Sequence, residues 1–98
     1  MLDFNIDLTE KTILVTGAAG FIGSNLSLRL LQTVSGVTVV GLDSMNDYYD
    51  VSLKEERLKK LSTFSAFKFI KGNLADKDLI NSLFATYQPH VVVNLAAQ

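Results

Sequence analysis

Two patterns of apolar and polar residues alternate along the chain. The first is a short, nearly continuous apolar run, which is typical of a strand covered on both faces. Runs of this kind lie at residues 11–16 and 37–42, and two further strands are predicted at residues 66–71 and 90–95. The second is helical. Apolar spacing predicts helices over residues 20–32 and 76–87, and acidic residues that precede basic ones predict another over 51–61. The resulting order, β-α-β-α-β-α-β, favours a parallel sheet with right-handed crossovers.

This order predicts one α/β domain over residues 11–98, preceded by an N-terminal arm at 1–10. Apolar residues alternate in the arm, so a short edge strand is the alternative there. We expect a doubly wound sheet of four strands in the order 3-2-1-4, with the first two helices on one face and the third on the other. The inner face of the third helix should then carry Leu79, Ile80, Leu83 and Phe84.

A glycine-rich turn joins the first predicted strand to the first helix. Gly17, Gly20 and Gly23 follow the pattern G-x-x-G-x-x-G, one residue longer than the commonest dinucleotide fingerprint. We expect Gly17 to allow the tight exit from the strand, Gly20 to let a diphosphate approach the backbone, and Gly23 to let the helix pack closely. Phe21 and Ile22 lie in the same helix start, whose N–H groups and dipole favour an anion. The turn therefore predicts a dinucleotide site, with a purely structural glycine turn as the alternative.

An acidic residue at the end of the second predicted strand suggests which dinucleotide is bound. Asp43 follows Gly23 by twenty residues, where a carboxylate can accept hydrogen bonds from the adenosine ribose. It would also repel a 2′-phosphate, so NAD is favoured over NADP. The alternative is a turn aspartate placed before Ser44.

The ends of the third and fourth predicted strands supply further candidates. Asn73 and Leu74 are placed to touch the adenine, although Asn73 is explained equally well as a turn residue. The fourth strand ends in residues that leave room for a cofactor or simply pack, namely Leu95, Ala96 and Ala97. His90, at the opposite end of that strand, should have only a packing or solvated role, and residues 55–60 should form a solvated helix face.

Composition excludes several classes of protein. Nine Lys and Arg against ten Asp and Glu give a net charge of −1, which leaves no basic surface for nucleic acid or an anionic membrane. There is no cysteine, so a disulfide framework and a cysteine metal site are excluded, and we predict no metal. No stretch approaches the ~18 apolar residues of a membrane helix, and the first residues do not resemble a signal peptide. We expect a cytoplasmic protein.

Particular segments resemble a known family. Residues 16–24, TGAAGFIGS, resemble the start of an extended short-chain dehydrogenase/reductase. Residues 41–51, GLDSMNDYYDV, are similar to NAD-dependent sugar-nucleotide epimerases, in particular UDP-glucuronate 4-epimerases, and residues 71–76 and 93–98 fit that family. The resemblance implies a Rossmann-like fold, NAD as cofactor, Asn46 as a further cofactor contact and a UDP-sugar as substrate of the complete protein. The family usually has aspartate where this chain has Asn73, whose side-chain carbonyl can still accept a hydrogen bond.

These epimerases use a tyrosine four residues before a lysine to move the proton, and no such pair occurs in these 98 residues. We therefore expect the NAD-binding, N-terminal portion of an epimerase, with no catalytic residue and no activity by itself. The alternatives are the same portion of a dehydratase or reductase, and a non-catalytic NAD-binding or interaction module. The fourth strand would leave an unpaired apolar edge at residues 91–93, so we expect self-association. We also expect weak NAD binding, because the groups that fix the nicotinamide end are absent.

Overall fold

The computed structural model describes residues 8–45 and 51–95. Helices and strands alternate there as β1 (Thr12–Thr16), α1 (Phe21–Thr33), β2 (Thr38–Asp43), α2 (Val51–Leu61), β3 (Phe67–Lys71), α3 (Lys77–Tyr87) and β4 (Val91–Asn94). All strand pairs are parallel, and the strand order is β3-β2-β1-β4. The predicted α/β fold, its 3-2-1-4 order and its three helices are confirmed.

Helices α1 and α2 cover one face of the sheet. Odd-numbered residues of β1 and β2, such as Ile13, Val15 and Val39, are buried on this face together with Leu30 of α1 and Leu61 of α2. Even-numbered residues of the same strands are buried on the opposite face. Both sides of each central strand are therefore apolar, which explains the continuous runs in the sequence.

Helix α3 covers the opposite face. Its Leu83 is buried against Leu14, Val40 and Leu42. Asp76 precedes the helix as its N-cap. Its carboxylate accepts the backbone N–H of Leu79 at 3.1 Å, which satisfies one of the donors left free at a helix start. The two-plus-one arrangement of helices matches the sequence prediction.

One residue of α3 departs from the prediction. Phe84 was expected on the inner face, but it is 42% exposed. Val92 of β4 is 46% exposed, and it pairs with Leu14, whose side chain is buried on the α3 side. A single helix cannot cover four strands, so α3 packs over β1, β2 and β3 and leaves β4 open on this face.

The predicted arm lies mostly outside the described residues. Only its last three residues are described, and there the N–H of Glu10 donates to the carbonyl of Ser35 at 3.0 Å, in the turn after α1. The division of the chain into an arm and a domain therefore stays a prediction. No helix within residues 8–45 and 51–95 is long and apolar enough to cross a membrane.

Because all strands are parallel, their carboxyl ends share one edge of the sheet. Thr16 pairs with Leu42 on one side and with Asn94 on the other, and Asp43 lies one residue beyond Leu42. The chain leaves β1 towards one face and reaches β4 from the other, so the switch point of the sheet lies between β1 and β4. Ligands of open α/β sheets bind at this edge.

Candidate functional site

The glycine turn folds back over the end of β2. Gly17 has a positive φ of 71°, which glycine adopts without strain. The N–H groups of Gly17 and Ala18 both donate to the carbonyl of Leu42, at 2.8 and 3.2 Å, and the N–H of Gly20 returns to the carbonyl of Gly17 at 3.0 Å. The tight exit from β1 expected of Gly17 is therefore present in the backbone.

Gly23 and Gly20 differ in how much space surrounds them. A Cβ at Gly23 would overlap the backbone carbonyl of Gly17, so α1 approaches the turn more closely than any side chain allows. A Cβ at Gly20 would lie 3.3 Å from the Gly17 carbonyl oxygen, a tight but bearable contact. Close helix packing thus requires glycine at position 23, whereas the fold itself does not require it at position 20.

The start of α1 presents free backbone donors at the sheet edge. Gly20 precedes the helix and supplies no capping side chain, and the first turn contains no acidic residue. The N–H of Ser24 is the first to bond within the helix, to the carbonyl of Gly20 at 2.9 Å. The N–H groups of Phe21, Ile22 and Gly23 therefore lack a partner in the part of the chain that the structure describes. Three free donors at the positive end of a helix dipole form a site for an anion.

Two apolar side chains flank these donors. Phe21 is 69% and Ile22 is 65% exposed, although both belong to the apolar pattern of the first helix. Their exposure places them beside the free amides rather than in the core, whereas Ala18 and Ala19 of the turn are fully buried.

Asp43 is buried at the end of β2 and holds the glycine turn in place. Its Oδ2 accepts the N–H of Ala19 at 3.0 Å. Its Oδ1 accepts the N–H of Met45 at 2.8 Å and the Nζ of Lys54 at 3.0 Å. The bond to Met45 is the one made by a turn aspartate, so this structural role is present whether or not the carboxylate also meets a ribose.

Helix α2 contributes two cations that the sequence analysis did not assign to the site. Lys54 and Arg57 are three residues apart and therefore project from one side of the helix. Arg57 Nη1 donates to the carbonyl of Ala19 at 3.2 Å, and its Cζ lies 5.9 Å from the centroid of the Phe21 ring, within cation–π range. The expected solvated face is thus wrong for Arg57, which is half-buried, and right for exposed Lys59.

The sequence held only a weak signal for this arrangement. Two cations at i and i+3 look the same in a sequence whether they face water or a neighbouring loop. Here Arg57 reaches the turn because α2 packs beside α1, and Leu61 at the end of α2 is buried in the same core cluster as Leu30 of α1. That contact depends on tertiary packing, which local spacing does not encode.

The turn after β3 is organised by its own side chains. Asn73 is exposed, and its Oδ1 accepts the N–H of Ala75 at 2.8 Å, the bond expected of a turn residue. Leu74 is partly buried against the core on the α3 side. Neither geometry tests whether these residues touch an adenine, so that role stays a prediction.

A hydrogen-bond network joins the ends of β1 and β4. The hydroxyl of buried Thr16 donates to Asn94 Oδ1 at 2.6 Å and accepts the N–H of Leu95 at 3.0 Å. Leu95 itself is 38% exposed at the switch point. Thr16 and Asn94 were not singled out from the sequence, because a threonine ending a strand and an asparagine following one are common turn chemistry.

The remaining candidates fall into two groups. His90 Nδ1 accepts the N–H of Thr12 at 3.0 Å at the amino end of the strands, a structural contact far along the strand from the glycine turn. Asn46, Ala96 and Ala97 lie outside the described residues. Among residues 8–45 and 51–95, no cluster of three or more His, Cys, Asp or Glu side chains forms a potential metal site.

The site as a whole suits a negatively charged ligand. Free amides at the start of α1, the cations of α2 and exposed apolar side chains surround the carboxyl edge of the sheet near the switch point. This arrangement can hold phosphate groups next to an apolar surface.

Comparison with known proteins agrees with this geometry. The chain is 52% identical over 86 residues to Protein CapI of Staphylococcus aureus, covering 88% of this chain and 25% of CapI. Its fold matches the crystal structure of UDP-glucuronic acid 4-epimerase from Bacillus cereus in complex with UDP-glucuronic acid and NAD, with a TM-score of 0.76 and 41% sequence identity. The match covers 88% of this chain and 26% of that one.

A dehydratase is also similar. The structure of dTDP-glucose 4,6-dehydratase from Bacillus anthracis in complex with NAD matches at 31% identity and a TM-score of 0.79, over 90% of this chain and 27% of that one. The chain spans about a quarter of the length of the curated relatives it matches. The sequence profile described as GDP-mannose 4,6 dehydratase matches residues 14–98. The chain therefore belongs to the GDP-mannose 4,6 dehydratase family, within the NAD-dependent epimerases and dehydratases that its sequence resembles.

Proposed function

We propose that this chain is the NAD-binding portion of a sugar-nucleotide 4-epimerase, with UDP-glucuronate as the substrate of the complete protein. The observation that carries the proposal is the pairing of three free amides at the start of α1 with a buried carboxylate, Asp43, at the end of the neighbouring strand. A dinucleotide presents the matching groups, a diphosphate and an adenosine ribose.

The residues present fit this cofactor. The amides of Phe21, Ile22 and Gly23 would receive the diphosphate, since nothing in the described chain occupies them. Each carboxylate oxygen can accept about two hydrogen bonds, and within the described residues Asp43 Oδ2 accepts one, from the N–H of Ala19, so it retains capacity for a ribose hydroxyl. When bound, NAD would accept a hydride from the sugar and return it.

The outer ends of the cofactor would meet the two flanking strands. The adenine would lie towards Asn73 and Leu74 after β3, because β3 neighbours β2. The nicotinamide would lie across the switch point, near Leu95 and the predicted contacts Ala96 and Ala97. Asn46 is proposed as an additional contact on the strength of the family resemblance alone.

Sequence identity favours an epimerase over the second candidate, a sugar-nucleotide dehydratase. The chain is 41% identical to the epimerase bound to UDP-glucuronic acid and 31% identical to the dehydratase. The dehydratase remains a candidate because its backbone superposes slightly better, with a TM-score of 0.79 against 0.76. In both cases a Tyr-x-x-x-Lys pair is lacking here, so the chain alone should bind the cofactor without turning over substrate.

The test is a titration of the chain with NAD followed by amide chemical shifts in two-dimensional NMR, which detects millimolar affinity. We expect binding weaker than micromolar, with the largest shifts at residues 17–23 and at Asp43. ADP-ribose should shift the same amides, because it carries the diphosphate and the adenosine ribose. Unchanged amides at residues 17–23 in millimolar NAD would contradict the proposal. Conversion of UDP-glucuronate to its C4 epimer by the complete protein, rather than dehydration, would separate the two candidates.

A further inference from the structure

We infer that a cavity between α1 and α2 binds a small organic phosphate, at a site separate from the dinucleotide site proposed at the carboxyl edge of the sheet. The cavity has a volume of about 210 Å³. Pockets that enclose a drug-sized ligand have roughly 300–1,000 Å³. The space therefore fits a phosphate group with a small apolar body and is too small for a second dinucleotide.

Each helix lines the cavity with one stripe of side chains. Positions i, i+4 and i+7 share a face of a helix, as do positions i, i+3 and i+4. The lining includes Phe21, Asn25 and Leu28 of α1, and Arg57, Lys60 and Leu61 of α2. Both helices start at the carboxyl edge of the sheet, because each follows a parallel strand. The groove between them therefore leads from Phe21 away from that edge.

The cavity is positively charged. Arg57 and Lys60 are three residues apart and project from the same side of α2. Within residues 8–45 and 51–95, no carboxylate forms an ion pair with either cation. Arg57 donates one N–H to the carbonyl of Ala19, and a guanidinium has five, so further donors remain for an anion. Two positive charges match a phosphate monoester, which carries about −1.5 to −2 charges at pH 7.

The walls of the cavity favour an anion that has an apolar part. The Phe21 side chain is 69% exposed, and the centroid of its ring lies 5.9 Å from Arg57 Cζ. A ligand phosphate held by Arg57 would therefore bring the rest of the ligand against an exposed aromatic ring. Leu61 adds buried apolar surface, and the Ser24 hydroxyl donates to the carbonyl of Phe21 at 3.2 Å.

The experiment titrates the chain with phenyl phosphate and follows backbone amides and the Arg57 Nε–H by two-dimensional NMR. We expect millimolar binding, with shifts at Asn25, Leu28, Arg57 and Lys60. Lys60→Met should weaken this binding about threefold, as expected for the loss of an exposed ion pair. Lys59→Met removes the same charge from the neighbouring exposed residue, which does not line the cavity, and should leave the affinity unchanged.

Benzoate tests the class of anion, because it has the same ring and a single negative charge. It should bind about threefold more weakly than phenyl phosphate, and equal binding would contradict a phosphate site.

Two further results would overturn the inference. One is a set of shifts confined to residues 21–23, because phenyl phosphate would then occupy only the free amides at the start of α1. The other is a loss of affinity in Lys60→Met no larger than that in Lys59→Met, which would assign binding to net charge. The NAD titration is a separate test: unchanged amides at residues 17–23 in NAD would contradict the proposed function and leave the cavity site standing.

Discussion

The two faces of the sheet differ in whether the residues that pack the core also support the candidate site. On the α1 and α2 face, residues that pack the core also position the site. Gly23 lets α1 approach the turn closely, and buried Leu61 anchors the helix that carries Lys54 and Arg57. On the α3 face, Leu83 and its neighbours form a smaller core and β4 is left open. Substitutions in the first face should therefore disturb stability and binding together, whereas a substitution at Leu83 in the second should disturb stability alone.

The largest effect is expected where packing on the first face is tightest. Gly23→Ala should lower the free energy of unfolding by about 4 kcal/mol, because the new Cβ meets backbone atoms of Gly17 and Ala18 that cannot rotate away. It should also abolish NAD binding, since the amides of the first helical turn would move. Urea unfolding followed by circular dichroism measures the first effect, and the NMR titration measures the second.

Gly20→Ala is the matched control in the same turn. Its φ of −73° suits any residue, and its nearest contact is 3.3 Å, so the cost should stay near 1 kcal/mol. It should nevertheless weaken NAD binding, because the added methyl group lies where a diphosphate would approach. Equal stability losses for the two alanines would show that close helix packing does not explain Gly23.

The contrast between these glycines shows what sequence could and could not supply. The spacing of Gly17, Gly20 and Gly23 predicted the turn, because a strand, three glycines and a helix leave few backbone alternatives. The contacts that hold the turn were not predicted. Arg57 meets Ala19 only because two helices pack side by side, and such a contact between residues 38 positions apart leaves no local pattern.

The second expected effect compares the two cores directly. Leu61→Ala and Leu83→Ala each remove a side chain that is at most 5% exposed, and each should cost about 3 kcal/mol. Only Leu61→Ala should also weaken NAD binding, severalfold, because loosening α2 shifts Lys54 and Arg57. Both variants are measured by urea unfolding and by NAD titration, at a temperature where each stays folded.

Each leucine serves as the control for the other, since the same atoms are removed from either face. A loss of NAD affinity in Leu83→Ala as large as that in Leu61→Ala would show that the two faces are not separate in function. An unchanged affinity in Leu61→Ala would show that α2 does not support the site.

The sequence predicted the covering of the central strands correctly, but it did not predict that β4 stays uncovered on the α3 face. Continuous apolar runs in β1 and β2 predicted a sheet covered on both faces, and their buried odd and even residues bear this out. The helical spacing of α3 also placed Phe84 inward, but spacing gives only the direction of a side chain. Whether something lies opposite depends on how far one helix extends over the sheet, and at β4 it does not reach.

The smallest effect on stability is expected for a substitution in the edge strand β4. The same substitution tests whether the open face causes association. In the described sheet β4 pairs only with β1, and Val92, Phe84 and Leu95 are exposed near it. We propose that the isolated chain self-associates through this edge, since an unpaired apolar strand can pair with another copy. Val92→Lys should shift the chain towards monomer in light scattering at high concentration, while changing the free energy of unfolding by less than ~0.5 kcal/mol.

Gln32→Lys is the matched control for this edge substitution, because it adds the same charge at an exposed position near the end of α1. If association depends on β4, Val92→Lys reduces it and Gln32→Lys does not, since lysine blocks an edge only where it stands on that edge. Equal reductions would assign association to net charge, and a monomeric unsubstituted chain would remove the proposal. A response confined to Val92 would place the contact between copies at the open edge of the second face.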